Sequence, residues 1–133
     1  MLNAGIGGSG GFLEDRVTTA NLEKMLNVNV YQVAAMMNKS VTQLKTRGKK
    51  GKHSGIIVVS SITGELVVPD NYVYCGTKVF GKYLTMSTAM ELQMSKSPID
   101  IMALQPHYVR TKLIDSTVKK GKDFGTISVE DCV

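Results

Sequence analysis

Tyr74 and Lys78 stand four residues apart, and Ser61 stands thirteen residues before Tyr74. On a helix, positions i and i+4 share a face, so the Lys78 ammonium can sit beside the Tyr74 phenol. A nearby cation favours the phenolate. That lowers a tyrosine pKa from its usual ~10 and suits the side chain to proton transfer near neutral pH. A serine hydroxyl beside such a tyrosine can donate a hydrogen bond to a substrate carbonyl. Taken alone, the pair reads more readily as an exposed Tyr and Lys on a helix surface. Other chemistries fit less well. No Gly-x-Ser-x-Gly elbow surrounds Ser61, and neither His53 nor His107 has an acidic partner in sequence, which argues against a serine hydrolase. Cys75 and Cys132 form no disulfide framework and no zinc spacing with histidine, so a reducing compartment is the simpler setting. Gly5-x-Gly7-x-x-Gly10 matches a dinucleotide fingerprint, but only four residues precede Gly5 and Gly11 stands where a helix should continue. It is read as a loop.

These residues need elements to hold them. From about Thr18 to Lys45, Leu22, Met25, Leu26, Tyr31, Val33, Ala34, Met37, Val41 and Leu44 recur at helical spacing, with Thr18 or Thr19 as cap and Glu23 in the first turn. Asn29 lies inside this helix among valines, where a buried amide needs partners. Gly55 to Ser60 is a continuous β-branched run, which predicts a strand buried on both faces in a parallel sheet. Gly64 to Asn71 is loop. A second helix runs from about Val73 to Met94, stopped by Ser97-Pro98, and Ile99 to Leu104 is the next strand, ended by Pro106. The order loop, helix, strand, helix, strand implies βαβ units, with ligands at the carboxyl ends of the strands. Those ends are Ser60-Ser61 and Gln105-Pro106. The stretch after Pro106 is weakly patterned.

The chain has 133 residues and a net charge of +5, and no apolar run approaches a membrane span. No basic and apolar leader opens it. Five of the sixteen basic residues fall in Lys45 to Lys52, a stretch without aromatics. It reads as a solvated loop rather than a nucleic-acid surface, which would stack bases on Tyr or Phe.

Taken together the motifs resemble those of the short-chain dehydrogenase/reductase family, from Asn3 to about Leu113. Asn3-Ala4-Gly5 resembles the turn after the family's fourth strand. Asn29 in Asn27-Val28-Asn29-Val30 falls at its helix asparagine, and Ser61 in Ser60-Ser61-Ile62-Thr63-Gly64 at its catalytic serine. Tyr74 and Lys78 make Tyr-x-x-x-Lys at the family distance. Pro106-His107-Tyr108-Val109-Arg110-Thr111 is similar to the proline loop over the nicotinamide. Thr77 and the Gln105 to Leu113 tail look most like the very-long-chain 3-oxoacyl-CoA reductase and hydroxysteroid dehydrogenase-like branch. His107 departs from the usual glycine, and the Asn29 to Ser61 separation is long, with the basic loop absorbing the excess.

The resemblance implies an α/β fold, a Rossmann-like doubly wound parallel sheet, partial, from the fourth strand to beyond the sixth. Residues 1–133 then form a single partial catalytic region, with the pyrophosphate-binding half preceding Asn3. It implies catalytic Asn29, Ser61, Tyr74 and Lys78. Asn3, Ala4, Gly5, Tyr74, Lys78, Pro106, Val109 and Thr111 would bind NADP or NAD, with NADP the favoured of the two and no metal. Tyr74 would give a proton to a carbonyl oxygen, Lys78 would tune it and bond the ribose, Ser61 would steady the oxyanion, and Asn29 would hold a relay water. The substrate would be a small-molecule, lipid-like ketone or alcohol, such as a 3-oxoacyl-CoA or a steroid. The setting would be intracellular, cytoplasmic or associated with the endoplasmic reticulum. Surplus apolar positions, Met36, Met37, Met86, Met90 and Met94, suggest a homodimer through the two long helices. The alternative is an inactive remnant serving as a binding or scaffold subunit.

Overall fold

The computed structural model describes residues 1–7, 18–109 and 126–130. Thr111, the Lys112-Leu113 tail, Gly10 and Cys132 lie outside the described residues. The first long helix opens at Thr18, whose side chain accepts from the Asn21 N–H at 3.3 Å. Glu23 falls in the second turn, not the first. Helix α1 spans Thr19–Leu26 and α2 spans Gln32–Gly48, and between them Asn27–Tyr31 forms a π-turn. Leu26 and Gln32 on either side keep helical dihedrals, so the three pieces make one continuous rod. Lys45 and Arg47 in the last turn favour the negative end of the helix dipole. Gly51, with φ +71, turns the chain into β1, Ser54–Val59.

After β1 comes a single 3₁₀ turn, Ile62–Gly64, and then α3, Tyr72–Met94. Strand β2, Ile99–Leu104, pairs parallel with β1 in unbroken register from Ser54↔Ile99 to Val59↔Leu104. Leu2 flanks the other edge of β1 by a parallel bridge to Val58, with its N–H on the Ile57 carbonyl at 2.7 Å and its carbonyl accepting from Val59 at 2.9 Å. The loop, helix, strand, helix, strand order therefore stands, and β2 has the expected boundaries. A short parallel pair, β3 at Tyr108–Val109 and β4 at Thr126–Ile127, adds order where the sequence pattern is weak.

The core is one-sided. Met37, Ile56, Val58, Leu92 and Ile99 pack together, joined by Leu2, Val33, Val41, Leu44, Leu84 and Ile101. Both helices thus cover the same face of the sheet. On the opposite face Ile57, Met102 and Leu104 are 37–51% exposed. This corrects the expectation that β1 is buried on both faces. Its continuous apolarity is real, but among the described residues only one face has a helical cover. Met37 is corrected too: it is 3% exposed and belongs to the core, not to a surplus surface.

Gly64 holds the 3₁₀ turn against α3. A Cβ there would lie 3.2 Å from both the carbonyl carbon and oxygen of Lys78, and 3.4 Å from Ser60 Oγ. Backbone cannot retreat as a flexible side chain can. Gly64→Ala should therefore destabilise the protein by about 1–3 kcal/mol through overpacking. Thermal unfolding checks this, and an unchanged midpoint would show that the turn is not held this tightly.

Candidate active site

Ser61 is delivered by the end of β1. The ladder continues one residue past the strand, with the Ser60 N–H on the Leu104 carbonyl at 2.8 Å. Ser61 is extended and caps the 3₁₀ turn, its Oγ accepting from the Thr63 N–H at 3.2 Å. With that lone pair engaged, its own proton is free to point away from the turn. The Ser61 hydroxyl is close enough to the Tyr74 phenol to favour the phenolate. Gln105, beyond β2, reaches across the edge of the sheet. Its Nε2 lies 3.4 Å from the Ser61 carbonyl and 3.0 Å from a Glu65 carboxylate oxygen. The same carboxylate takes the Lys82 ammonium, and these two donors hold Glu65 below the usual carboxylate range, Lys82 having the larger effect.

Tyr74, Thr77, Lys78, Gly81 and Thr85 follow one face of α3, at 100° per residue. This face meets the sheet edge. Ser60 Oγ, 3% exposed, donates to the Lys78 backbone carbonyl at 2.7 Å, so the strand end is tied to the helix at the residue whose side chain enters the site. Lys78 Nζ returns to the Val59 carbonyl at 3.3 Å and lies 5.4 Å from the centre of the Tyr74 ring. The ammonium therefore sits over the ring. Burial pushes the Tyr74 phenol above its ordinary pKa, against the bond from Ser61, and Cys75 and Tyr108 add to the rise. Burial also pulls Lys78 down. This corrects the sequence expectation of a lowered tyrosine pKa: partial burial outweighs the charge-stabilising contacts.

Asn29, 4% exposed, is the polar centre of the π-turn. Its Oδ1 accepts from the Ile6 N–H at 2.9 Å, and its Nδ2 donates to the Ile6 carbonyl at 2.8 Å and to Thr77 Oγ1 at 3.2 Å. Both donors of the amide are engaged. Gly5, next to Ile6, lies beside the same groups: a Cβ there would be in ordinary contact with Lys78 Nζ at 3.4 Å and Asn29 Oδ1 at 3.6 Å. Asn3 and Ala4 precede it and line a groove with Val28, Gln32, Val33 and Met36.

The structure thus brings Gly5, Asn29, Ser61, Tyr74 and Lys78 to one end of the sheet. Pro106 joins them there, its carbonyl accepting from the Ile62 N–H at 3.0 Å. Tyr108, beside Val109, is close enough to influence the Tyr74 phenol. A separate pocket of about 490 Å³ opens on the outer side of the 62–71 loop, lined by Leu66, Val67, Val68, Pro69, Cys75 and Val79. Cys75 and Val79 sit on α3 roughly 100° or more around from Tyr74. Sequence reasoning placed Ser60 and Gln105 at the ligand ends of the strands but gave them, like Thr77, no contacts. A serine ending an apolar strand and a threonine three residues after the tyrosine were the available signals.

Comparison with known proteins fits this geometry. Residues 1–122 match the short chain dehydrogenase family. The chain is 29% identical over 101 residues to 15-hydroxyprostaglandin dehydrogenase [NAD(+)] of Rattus norvegicus, covering 75% of this chain and 37% of that one. It is 30% identical over 103 residues to the very-long-chain 3-oxoacyl-CoA reductase of Mus musculus, covering 77% and 31%. The chain thus spans about a third of the length of these curated relatives. Its fold is similar to that of 3-ketoacyl-(acyl-carrier-protein) reductase from Brucella melitensis complexed with NADH, at TM-score 0.74 and 31% identity, over 85% of this chain and 46% of that one. With Ser61, Tyr74 and Lys78 assembled at the carboxyl edge of a parallel sheet and the family match running over nearly the whole sequence, the chain belongs to the short-chain dehydrogenase/reductase family.

Proposed function

We propose that residues 1–133 are a single partial catalytic region of a nicotinamide-dependent oxidoreductase that interconverts a carbonyl and an alcohol. The observation that carries this reading is the Ser61 hydroxyl beside the Tyr74 phenol, with the Lys78 ammonium 5.4 Å from the centre of the same ring. Two hydroxyls meeting at one point can both address a single substrate oxygen. Ser61 donates a hydrogen bond to that oxygen, and Tyr74 transfers a proton to it. For the reverse reaction the same groups accept.

The residues present fit a dinucleotide. Lys78 has three donors and one hydrogen-bond acceptor among the described residues, the distant Val59 carbonyl. Lys78 and Tyr74 would hold ribose hydroxyls, with Asn3, Ala4 and Gly5 along one wall and Pro106, Val109 and Thr111 near the nicotinamide. When bound, the nicotinamide supplies or accepts hydride at the substrate carbon. We propose NADP or NAD as that cofactor; of the relatives, one is named for NAD(+) and one was seen with NADH. Since both donors of the Asn29 amide are engaged, a relay water would rest on the Asn29 main-chain carbonyl instead.

A lipid-like ketone or alcohol, such as a 3-oxoacyl-CoA or a steroid, is supported by the names of the two curated relatives and by the apolar pocket beside the loop that follows Ser61. We also propose a homodimer through the long helices. Tyr31 and Met36 on one rod, and Tyr83, Met86, Met90 and Met94 on α3, are 50–82% exposed, more apolar surface than a lone helix pair usually shows to water. An intracellular setting, cytoplasmic or at the endoplasmic reticulum, is proposed on the reductase likeness. No helix among the described residues is long and apolar enough to cross a membrane.

Three measurements test this reading in the full protein. Tyr74→Phe should lower carbonyl reduction by ~10²–10⁴-fold, as loss of a general acid does. Cofactor binding, read by fluorescence, should survive. Lys78→Met should weaken both. Turnover of Tyr74→Phe at the wild-type rate would remove Tyr74 from the reaction.

The pH profile follows from which form of Tyr74 acts. Reduction needs the phenol and should fall as pH rises through the Tyr74 pKa, while oxidation needs the phenolate and should rise over the same interval. Because burial raises that pKa, the crossover belongs on the alkaline side in the absence of a bound ligand. Parallel pH dependences in the two directions would contradict a single proton-transferring group. Light scattering at micromolar concentration should give a dimer mass, and Met86→Glu with Met90→Glu should give a monomer. A wild-type monomer would refute the pairing.

A further inference from the structure

We infer that Thr77 is a positioning residue, whose hydroxyl carries the order of the Asn29 amide into the backbone of Tyr74. The inference rests on the proposed role of Tyr74. Thr77 is 2% exposed and lies three residues after Tyr74 on the face of α3 that enters the site. Its Oγ1 accepts from Asn29 Nδ2 at 3.2 Å and donates to the Tyr74 carbonyl at 2.7 Å. The incoming N–H takes a lone pair, so the single hydroxyl proton is directed at Tyr74. The result is a polar chain with one sense: Asn29 N–H to Thr77 O–H to Tyr74 C=O. Its far end is fixed, since Asn29 also grips both the N–H and the carbonyl of Ile6.

Tyr74 needs such an anchor. It lies in the first turn of α3, where the helix has no earlier turn to hold it, and Asn71 gives no side-chain cap. A first turn without a cap frays, and a fraying turn cannot keep the phenol on Ser61. The hydroxyl of Thr77 ties this turn to a different part of the fold. Two other threonines of α3 show the contrast. Thr85 and Thr88 bond back to Gly81 and Leu84, both at 2.8 Å and four residues away, within the helix. Such local back-bonding only competes with the helical ladder. Thr77 makes the same kind of local bond, three residues back to Tyr74, but its oxygen also takes a bond from another helix.

Three substitutions separate a directing hydroxyl from a filler of volume. Thr77→Val keeps the shape and removes the hydroxyl. Thr77→Ser keeps the hydroxyl and removes a methyl. Thr85→Val removes the ordinary back-bond. The Tyr74 phenol is titrated by ring-carbon NMR in labelled protein, its signal assigned by its loss in Tyr74→Phe, and kcat and KM are measured in parallel. Cys75 and Tyr108, which both push the phenol up, are unchanged in every variant. Thr77→Val should move the Tyr74 titration to higher pH, because the phenol moves away from Ser61, whose proximity lowers it. It should also lower kcat by about 10- to 100-fold, the scale of a small misplacement, with KM little changed. Thr77→Ser and Thr85→Val should match wild type in both. If Thr77→Val does not fold, Thr77→Ala is compared with Thr77→Ser in the same way. A wild-type Tyr74 titration in the variant without the hydroxyl, or equal shifts in Thr77→Ser, would overturn the inference. If the wild-type protein turns over no carbonyl or alcohol, the proposed activity fails, and the titration still decides the role of Thr77.

Discussion

The arrangement depends on one buried amide. Asn29 offers the Ile6 backbone a donor and an acceptor, as a neighbouring strand would, and is 4% exposed while doing so. A polar group at that depth must be fully paired or it costs the fold on the order of a hydrogen bond's desolvation, ~1–3 kcal/mol. The pairing reaches three ways: to the segment that follows Leu2 at the sheet edge, through the rod that carries Asn29, and to Thr77 on α3. The rod is widened to a π-turn at this position. A π-turn is poorer in hydrogen bonding than an α-turn, and such bulges are frequent at functional sites. Here the widened turn lets one helical side chain face both a sheet edge and a second helix. Gly5 sits beside this junction, where a Cβ would be in ordinary contact with Lys78 Nζ and Asn29 Oδ1.

A second junction fixes the strand to the same helix. Ser60 and Gly64 close on the Lys78 backbone from either side of Ser61. Ser61 is therefore held between two contacts with the helix that carries its partner. The separation of thirteen residues between Ser61 and Tyr74 is long for a chain that must return to hydrogen-bonding distance. It closes because the 3₁₀ turn is pressed onto α3 at the level of Lys78, one turn beyond Tyr74. The placement of Ser61 beside Tyr74 is set by backbone packing, and the side chains inherit it.

The large-scale order was legible because it is written in periodicity. The β-branched run at Ile56 to Val59 and the stops at Pro98 and Pro106 place strands and helix ends to within a residue or two. Spacing placed Ser61, Tyr74 and Lys78 on one edge, and Asn29 stood out as an amide among valines. What stayed hidden is local and three-dimensional. The π-turn leaves the helical repeat almost unchanged over five residues, so no pattern marks it. The roles of Ser60 and Thr77 depend on which carbonyl each hydroxyl faces, and Ser and Thr are common at strand ends and in helices for other reasons. Continuous apolarity in β1 and β2 could not say that both helices would take the same face, leaving Met102 and Leu104 toward water. Met37 and Met36 are adjacent in sequence, yet one is core and the other exposed. Only the angular position on the rod separates them.

The direction of the Tyr74 shift has the same origin. Sequence puts a cation four residues from a phenol, and charge alone would lower the pKa. Geometry puts the ammonium over the ring, hydrogen-bonded to the Val59 carbonyl, in surroundings that disfavour charge on both groups. Burial moves phenol and ammonium toward each other's neutral forms, up for Tyr74 and down for Lys78. A pair displaced in this way responds to whatever next enters the cleft. A ligand hydroxyl that gives Lys78 a second acceptor would stabilise its charge, and a firmer cation beside the ring would in turn favour the phenolate. On the proposed reading, ligand binding and proton transfer would then be coupled through Lys78.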